Sequence, residues 1–250
     1  MLVTNLIETR GRLAVISDPH GNLPALEAIM EHVQRGGEAT ILCLGDYVGY
    51  APFHREVVEV LRRRGAVMLQ GDVDAVAARQ GTTRLMAGQL DEELRRLLGD
   101  LPIAARISMG EIQIVAFHGQ LPEGSPLFDA DPRLAAELHT VCTYAAQIST
   151  LAPDSLFPGI AGYLSADAYV FGHTHRQAYR RIGGKQFVNV AAAGRPRGDV
   201  RTSYALLTVA DGELRVEFRK VAYDVGAVVE AIKTHGFPLL FAEELQSPPD

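Results

Sequence analysis

Val170-Phe171-Gly172-His173-Thr174-His175 is the stretch that decides how this chain is interpreted. An apolar run ends there in a glycine and two histidines that are separated by one residue. Since side chains at positions i and i+2 of an extended or tightly turned segment point the same way, both imidazoles can reach one small volume. Taken alone, the pair is more typical of two solvated turn histidines. A metal site therefore requires further ligands from the rest of the chain.

Apolar runs upstream of this stretch also end in polar side chains of the metal-binding types. The runs at 13–17, 40–44, 66–70 and 112–117 are followed by Asp18 and His20, by Asp46, by Asp72 and by His118, respectively. Such runs predict buried strands, and open α/β sheets bind ligands in the loops at the carboxyl ends of their parallel strands. Each residue could be structural, because Asp and Gly are common in turns. Their joint occurrence at strand ends favours a site.

The order of the predicted elements indicates a single mixed α/β domain over residues 1–250. Strand and helix patterns alternate at first, with Asn22 as the cap of one helix, and hairpins follow at 178–190 and 204–221. Residues 120–167 surround one predicted helix at 132–149. We expect them to form a helical insertion that shapes access to the site, with a plain packing helix as the alternative. The segment 243–250 is expected to fray.

The composition is that of an ordinary soluble domain of 250 residues, with 47% hydrophobic and 22% charged residues. The formal net charge of -6 argues against wholesale binding of nucleic acid or of an anionic membrane. No run approaches 18 apolar residues and residues 1–12 lack an apolar leader, so neither membrane insertion nor export is expected. The two cysteines, Cys43 and Cys142, indicate buried free thiols and a cytoplasmic location.

All of the predicted ligands are oxygen or nitrogen donors, and one aspartate is available to bridge two ions. They are Asp18, His20, Asp46, Asp72, His118, His173 and His175. A structural zinc site would favour cysteine, so this set favours a site for two metal ions.

In this order the pieces resemble the calcineurin-like metallophosphoesterases, and most of all their small bacterial branch. The family pattern D-x-H, G-D-x-x-G, G-N-x-[DE], an isolated His and G-H-x-H is similar to 18–20, 45–49, 71–74, His118 and 172–175 here. The resemblance spans about residues 13–199. It implies an α/β fold in which a two-sheet β-sandwich is flanked by helices.

The resemblance also implies a role for each ligand. Asp18, His20, Asp46 and His175 would hold one divalent ion, and Asp46, Asp72, His118 and His173 the other, with Asp46 as the bridge. Asp46, Asp72 and His118 are accordingly predicted as catalytic residues. The implied reaction is hydrolysis of a phosphoester by a water or hydroxide that bridges two metal ions. Manganese is expected, with iron or zinc as alternatives.

The expected substrate is a small phosphoester or nucleotide, and the expected enzyme is a phosphodiesterase or nucleotide phosphohydrolase. A diadenosine-polyphosphate hydrolase and a serine/threonine-type phosphatase are the alternatives within the same class. An alternative from another class is a degenerate scaffold that binds metal with little activity. The sequence leaves the oligomeric state open.

Three features of the sequence depart from the family pattern or add to it. Asp72 stands where the family has Asn, which places negative charge where a phosphate approaches. Val73 stands where larger members have a histidine that assists the leaving group, and His54 is either a substitute donor or a solvated helix-start residue. In the run 189–199, Arg195 and Arg197 are predicted to bind a substrate phosphate, with a solvated surface loop as the alternative.

Overall fold

The computed structural model describes residues 2–7, 11–37, 39–86, 88–150, 152, 153, 155, 157 and 159–249. Its strands are β1 (Val3–Ile7), β2 (Arg12–Ile16), β3 (Thr40–Cys43), β4 (Val67–Met68), β5 (Ala104–Met109), β6 (Ile112–Phe117), β7 (Ala168–Phe171), β8 (Gln177–Ile182), β9 (Lys185–Val190), β10 (Thr202–Ala210) and β11 (Glu213–Val221). Its helices are α1 (Leu23–Arg35), α2 (His54–Arg63), α3 (Asp72–Gln80), α4 (Glu92–Asp100), α5 (Leu127–Ala130), α6 (Pro132–Ser149), α7 (Val225–Thr234) and α8 (Leu239–Gln246). A 3₁₀ turn spans Ile160–Tyr163.

Two mixed sheets face each other across a shared apolar core. One has six strands in the order β1-β5-β6-β7-β9-β8, and the other has five in the order β11-β10-β2-β3-β4. Because strand side chains alternate between faces, Leu13 and Val15 of β2 lie in the core between the sheets, whereas Ala14 and Ile16 pack with the helices outside. Val170 of β7 likewise lies between the sheets. The predicted two-sheet fold flanked by helices is confirmed.

The parallel strands carry the predicted site residues to one edge of this sandwich. β2, β3 and β4 are parallel in one sheet, and β6 and β7 are parallel in the other. The carboxyl ends of parallel strands meet at the same edge, and the loops there are joined by backbone hydrogen bonds. Asp18 N donates to Gly45 O at 3.0 Å, and Gly172 N donates to His118 O at 2.7 Å.

The local signals located most elements, and packing changed the bounds of others. Asn22 caps α1 by accepting from Ala25 N, as predicted. The third predicted strand is only two residues long, and Asp72 begins α3 instead of lying in a loop. The segment from residue 243 was expected to fray, but α8 continues to Gln246, because Phe241 and Leu245 are buried against α7. Asp250 lies outside the described residues.

Helix α6 has the bounds predicted for it, and its buried stripe packs on the outer face of the six-stranded sheet. Leu134, Leu138 and Val141 share a core cluster with Phe117 and Phe171, the last residues of β6 and β7. Residues 151, 154, 156 and 158 of the expected insertion lie outside the described part of the chain. The interpretation of 120–167 as an insertion stays a prediction. Within the described residues, no helix combines the length and apolar character needed to cross a bilayer.

Candidate metal centre

The loops that carry the predicted ligands have an unusual backbone conformation. Non-glycine residues rarely adopt positive φ angles, and residues that do so at some energetic cost concentrate at functional sites. Five of the seven predicted ligands have φ angles between 47° and 62°, namely Asp18, His20, Asp46, His173 and His175. The surrounding hydrogen bonds therefore hold these loops in strained turns that aim the side chains inward.

Two glycines permit the close approach of these loops. A Cβ atom on Gly172 would lie 2.0 Å from Ser17 Oγ and 2.6 Å from Asp18 Oδ2. A Cβ atom on Gly71 would lie 2.0 Å from Asp46 Oδ1. Only a residue without a side chain fits at either position. The glycines of the two motifs are therefore required by the packing of the ligand loops.

The strongest indication of a cation is a pair of facing imidazole nitrogens. His20 Nδ1 lies 2.9 Å from the carbonyl of Val48, and His175 Nδ1 lies 3.0 Å from the carbonyl of Arg195. Because a carbonyl only accepts, each Nδ1 carries hydrogen and each neutral ring presents a lone pair at Nε2. These two Nε2 atoms lie 3.2 Å apart, and Asp18 Oδ1 lies 3.3 Å from that of His175. Two converging lone pairs beside a carboxylate are the arrangement that a divalent cation stabilises.

A second group lies on the other side of the cluster. Asp72 Oδ1 is 3.0 Å from both His118 Nε2 and His173 Nδ1. The side chains of Asp72 and His173 are 31% and 37% exposed, whereas that of His118 is 1% exposed. Despite these short distances, the geometry gives no hydrogen bond among the described residues to either ring nitrogen of His118 or to Asp18 Oδ1, and all three atoms are buried. Such orphaned buried groups fit a site built for a cation.

Asp46 lies between the two groups. Its Oδ2 atom is 3.8 Å from His20 Nε2 and 3.4 Å from His118 Nε2, while its Oδ1 atom accepts from Val73 N at 3.0 Å. The potential ligand atoms of Asp18, Asp46 and His118 lie within 4.8 Å of one another. The same limit holds for the two outer groups, Asp18-His20-His175 and Asp72-His118-His173. The donor set thus fits two adjacent metal ions, with Asp46 at the position that both could share.

The clustered charges shift the pKa values of several of these groups. Burial raises the pKa of Asp18, but the interactions with His118 and His175 lower it by a larger amount, so the pKa lies well below the usual range. Burial also opposes protonation of His118, yet the carboxylates of Asp46 and Asp18 hold its pKa well above the usual range. The carboxylates thus favour a positive charge at the centre of the cluster, which bound cations would supply.

Asp74 connects the loops after β3 and β4, and its bracing role was not predicted. Its fully buried carboxylate accepts from the backbone N–H groups of Gly71, Asp46 and Tyr47 at 3.0, 2.7 and 2.9 Å. Burial and the adjacent charge of Asp46 raise the pKa of Asp74 to about 8. Asp74 occupies the final acidic position of the family pattern G-N-x-[DE], which could have indicated that it has a role. The sequence does not show which backbone amides its side chain would bind.

Asn189 braces the histidine loop in a similar way, and the sequence interpretation missed it as well. Its buried Nδ2 atom donates to Gly172 O at 2.9 Å and to Thr174 Oγ1 at 2.8 Å. Its Oδ1 atom accepts from Ala191 N at 3.0 Å. The side chain therefore fixes the turn that carries His173 and His175. Asn189 begins the 189–199 run, in which only Arg195 and Arg197 were predicted to have a role.

Arg195 and Arg197 lie in the loop that also positions His175. The Arg195 guanidinium donates to Glu244 Oε2 of α8, with Nε at 2.7 Å, and stacks over the ring of Tyr50 at 4.6 Å. Burial lowers the pKa of Arg197, and the nearby charges of Arg176 and Arg195 lower it further. The Nε and Nη2 groups of Arg195 are therefore engaged by Glu244, and a phosphate would have to use its other N–H donors or displace Glu244. The substrate-binding roles of both arginines stay predictions.

His54 is not a fully solvated helix-start residue, which was one of the two roles predicted for it. It begins α2, is half-buried, and accepts a hydrogen bond from Gly49 N at 3.3 Å through Nε2. Burial lowers its pKa from 6.5 to about 4. His54 is therefore neutral at pH 7 and is a poor general acid there.

We expect His54 to make the metal-free protein acid-sensitive between about pH 6.5 and pH 4. In this window the unfolded chain binds a proton at His54 and the folded chain does not, so stability falls as the pH falls. His54→Gln should reduce the loss of unfolding free energy between pH 7 and pH 5 by about 2 kcal/mol. Urea unfolding in chelator at the two pH values measures this. His139→Gln, which replaces an exposed histidine, is the control, and an unchanged loss in His54→Gln would contradict the assignment.

Comparisons with known proteins agree with the fold and the motifs. The model of the calcineurin-like phosphoesterase superfamily domain matches residues 12–212. A metallophosphoesterase from Sphaerobacter thermophilus has a similar structure, with a TM-score of 0.69, 23% identity, and coverage of 94% of this chain and 99% of that one. A hypothetical protein from Pyrococcus horikoshii OT3 gives a TM-score of 0.70 at 20% identity, with coverage of 96% and 98%.

One curated relative is similar over a short segment. An uncharacterized protein from Methanocaldococcus jannaschii is 40% identical over 65 residues, which are 26% of this chain and 27% of that protein. The matched segment thus spans about a quarter of the relative's length.

Proposed function

The chain belongs to the calcineurin-like phosphoesterase superfamily, and we propose that it is a phosphoester hydrolase that uses two divalent metal ions. The observation that carries the proposal is the pair of His20 and His175 Nε2 atoms, 3.2 Å apart, whose Nδ1 atoms both face carbonyls. Without a cation there, two neutral rings would face each other with their lone pairs, unless one ring took a second proton and donated it to the other. The family then supplies the reaction class.

We assign the ligands as the sequence resemblance implies. Asp18, His20 and His175 hold one ion, Asp72, His118 and His173 hold the other, and Asp46 is shared by both. Divalent ions bound there would lower the pKa of a water molecule and neutralise charge that develops on the phosphoryl oxygens. Imidazole and carboxylate ligands suit manganese, iron and zinc alike, and we assign manganese with iron and zinc as the alternatives.

The protein's own groups contribute orientation in this proposal. The carbonyls of Val48 and Arg195 fix the tautomers of His20 and His175, so that Nε2 of each ring is the atom with the lone pair that can bind a metal ion. The amide of Val73 holds Oδ1 of Asp46 and leaves Oδ2 directed at the cluster. Val73 carries no proton donor in its side chain. We therefore expect the best substrates to be esters with good leaving groups.

Metal removal tests the proposal directly. We expect exhaustive dialysis against a chelator to abolish hydrolysis of p-nitrophenyl esters and to lower the melting temperature, because ligands that bind only the folded state stabilise it. Added Mn²⁺ should restore both, and Fe²⁺ and Zn²⁺ are compared with it. Metal analysis of the purified protein should find about two ions per chain on the proposed ligand sets. Hydrolysis that survives chelation would contradict the mechanism, and well under one ion per chain would favour a degenerate scaffold.

Asp72→Asn tests the ligand that departs from the family pattern. Replacing a carboxylate by a neutral carboxamide between His118 and His173 should change the relative affinity for Mn²⁺, Fe²⁺ and Zn²⁺ by about tenfold or more. Calorimetric titration of each metal into the metal-free protein measures this, and hydrolysis with each metal provides a second readout. Asp129→Asn, at an exposed position, is the control. Unchanged affinity and activity with every metal would contradict the hypothesis that the carboxylate of Asp72 sets the metal preference.

A further inference from the structure

A hollow of about 360 Å³ opens beside the candidate metal centre, between α3 and the segment that follows it. We call it the α3 hollow. It is lined by Asp72, Val73, Val76, Gln80, Thr83, Arg84 and Leu85. Pockets of about 300 to 1,000 Å³ are the size class that binds small organic ligands.

The hollow begins where the metal centre is accessible. The side chains of Asp18 and Asp46 are only 0% and 3% exposed, whereas that of Asp72 is 31% exposed and forms one wall of the hollow. A phosphate can therefore reach the cluster on the side of Asp72 and His173, whose side chain is 37% exposed. The opposite wall is fixed to the ligand loops, because Tyr50 N donates to the carbonyl of Leu85 at 2.8 Å. The hollow and the cluster are thus one continuous surface.

The walls are suited to an organic substituent. Val73, Val76 and Leu85 provide aliphatic surface, and the Gln80 carboxamide at the far end can donate and accept hydrogen bonds. Arg84 is exposed at the rim, where its positive charge attracts a phosphorylated ligand. Water makes no favourable hydrogen bonds with aliphatic side chains, whereas an organic group that fills the hollow would bury apolar surface against them.

We propose that the α3 hollow binds one of the two ester substituents of a phosphodiester, an organic group of about nucleoside size. This inference rests on the proposed function and specifies its substrate class. The charge of Asp72 supports the same class: a phosphomonoester carries about -1.5 to -2 at pH 7, since its second pKa is about 6, and a diester carries a single charge. Repulsion by the Asp72 carboxylate therefore penalises the monoester more.

The test fills the hollow and compares substrates. In the metal-loaded enzyme, kcat/KM is measured for thymidine 5′-monophosphate p-nitrophenyl ester and for p-nitrophenyl phosphate. We expect Val76→Phe to lower the diester-to-monoester ratio at least tenfold. Gln80→Phe fills the far end from an exposed helix position and is the second variant in case Val76→Phe does not fold. The matched control is Thr143→Phe, which fills a different hollow of about 340 Å³ beside α6.

The outcomes separate the hollow from the proposed function. A ratio that stays within twofold of wild type in both α3 variants, or that falls equally in Thr143→Phe, would overturn the inference and leave the hydrolase proposal intact. If the wild type hydrolyses neither ester, the hydrolase proposal fails, and calorimetry decides on the hollow. Thymidine 5′-monophosphate should then bind at least tenfold more tightly than inorganic phosphate, and Val76→Phe should remove that difference. Equal binding of the two probes by the wild type would overturn the inference.

Discussion

We expect Asp46→Asn to lower kcat/KM for phosphoester hydrolysis by about a thousand-fold and to abolish binding of at least one of two metal ions. Asp46 lies between the two ligand groups, and its Oδ2 atom is within 4 Å of both His20 Nε2 and His118 Nε2. Asparagine keeps the shape and can still accept from Val73 N through its oxygen, but it removes the negative charge that two cations would share. Metal ions supply several kcal/mol of transition-state stabilisation, and about 4 kcal/mol corresponds to a factor of a thousand.

The same substitution should leave folding intact. In the metal-free protein the charge of Asp46 disfavours ionisation of buried Asp74 and favours protonation of His118, so removing that charge changes two interactions of opposite sign. We expect metal-free Asp46→Asn to melt close to the wild-type temperature. Asp211→Asn is the control, because Asp211 also has a positive φ angle but lies exposed in the β10–β11 hairpin. Activity within tenfold of wild type in Asp46→Asn, with two ions retained, would contradict the bridging role.

Local sequence patterns predicted most of the helices and strands, because helix caps and apolar alternation depend on residues that are close in sequence. The cap at Asn22 and the apolar alternation of β2 depend on residues a few positions apart. The strand predicted at 66–70 is an exception, because only Val67–Met68 forms a strand. Leu69 N still donates to Cys43 O of β3, but Gln70 N donates to Pro102 O instead, so the pairing of β4 with β3 ends there. Which partner an extended residue pairs with is decided by tertiary structure.

The candidate site shows the same division between local and tertiary information. The sequence placed seven polar side chains at strand ends, and the structure brings them together, because parallel strands end at one edge of the sandwich. Glu244 could not be assigned from the sequence, since its contact with Arg195 joins residues 49 positions apart. Residues 243–250 were expected to fray because they lie at the end of the chain, but α8 continues to Gln246 and packs its buried face against α7. Side chains that hold the site in place were harder to identify than the side chains that form it.

We expect Asp74→Ala to have the largest effect on folding, with a loss of about 3 to 5 kcal/mol of unfolding free energy. The substitution removes the acceptor of three buried backbone N–H groups at once, those of Gly71, Asp46 and Tyr47. Leaving one buried donor without a partner costs about 1–3 kcal/mol, and partial relaxation makes the three losses less than additive. Urea unfolding of the metal-free protein measures this loss.

Asp74→Asn keeps the size of the side chain and part of its hydrogen bonding. With its oxygen at the Oδ2 position, asparagine can still accept from Gly71 and Asp46, but it turns an NH₂ group toward the N–H of Tyr47. We therefore expect a stability between those of the wild type and Asp74→Ala. Asp129→Ala, at an exposed position, should change stability by less than about 0.5 kcal/mol. Equal stability of Asp74→Ala and Asp129→Ala would show that the loops after β3 and β4 are held by contacts other than Asp74, and the positions of Asp46 and Asp72 would then need another explanation.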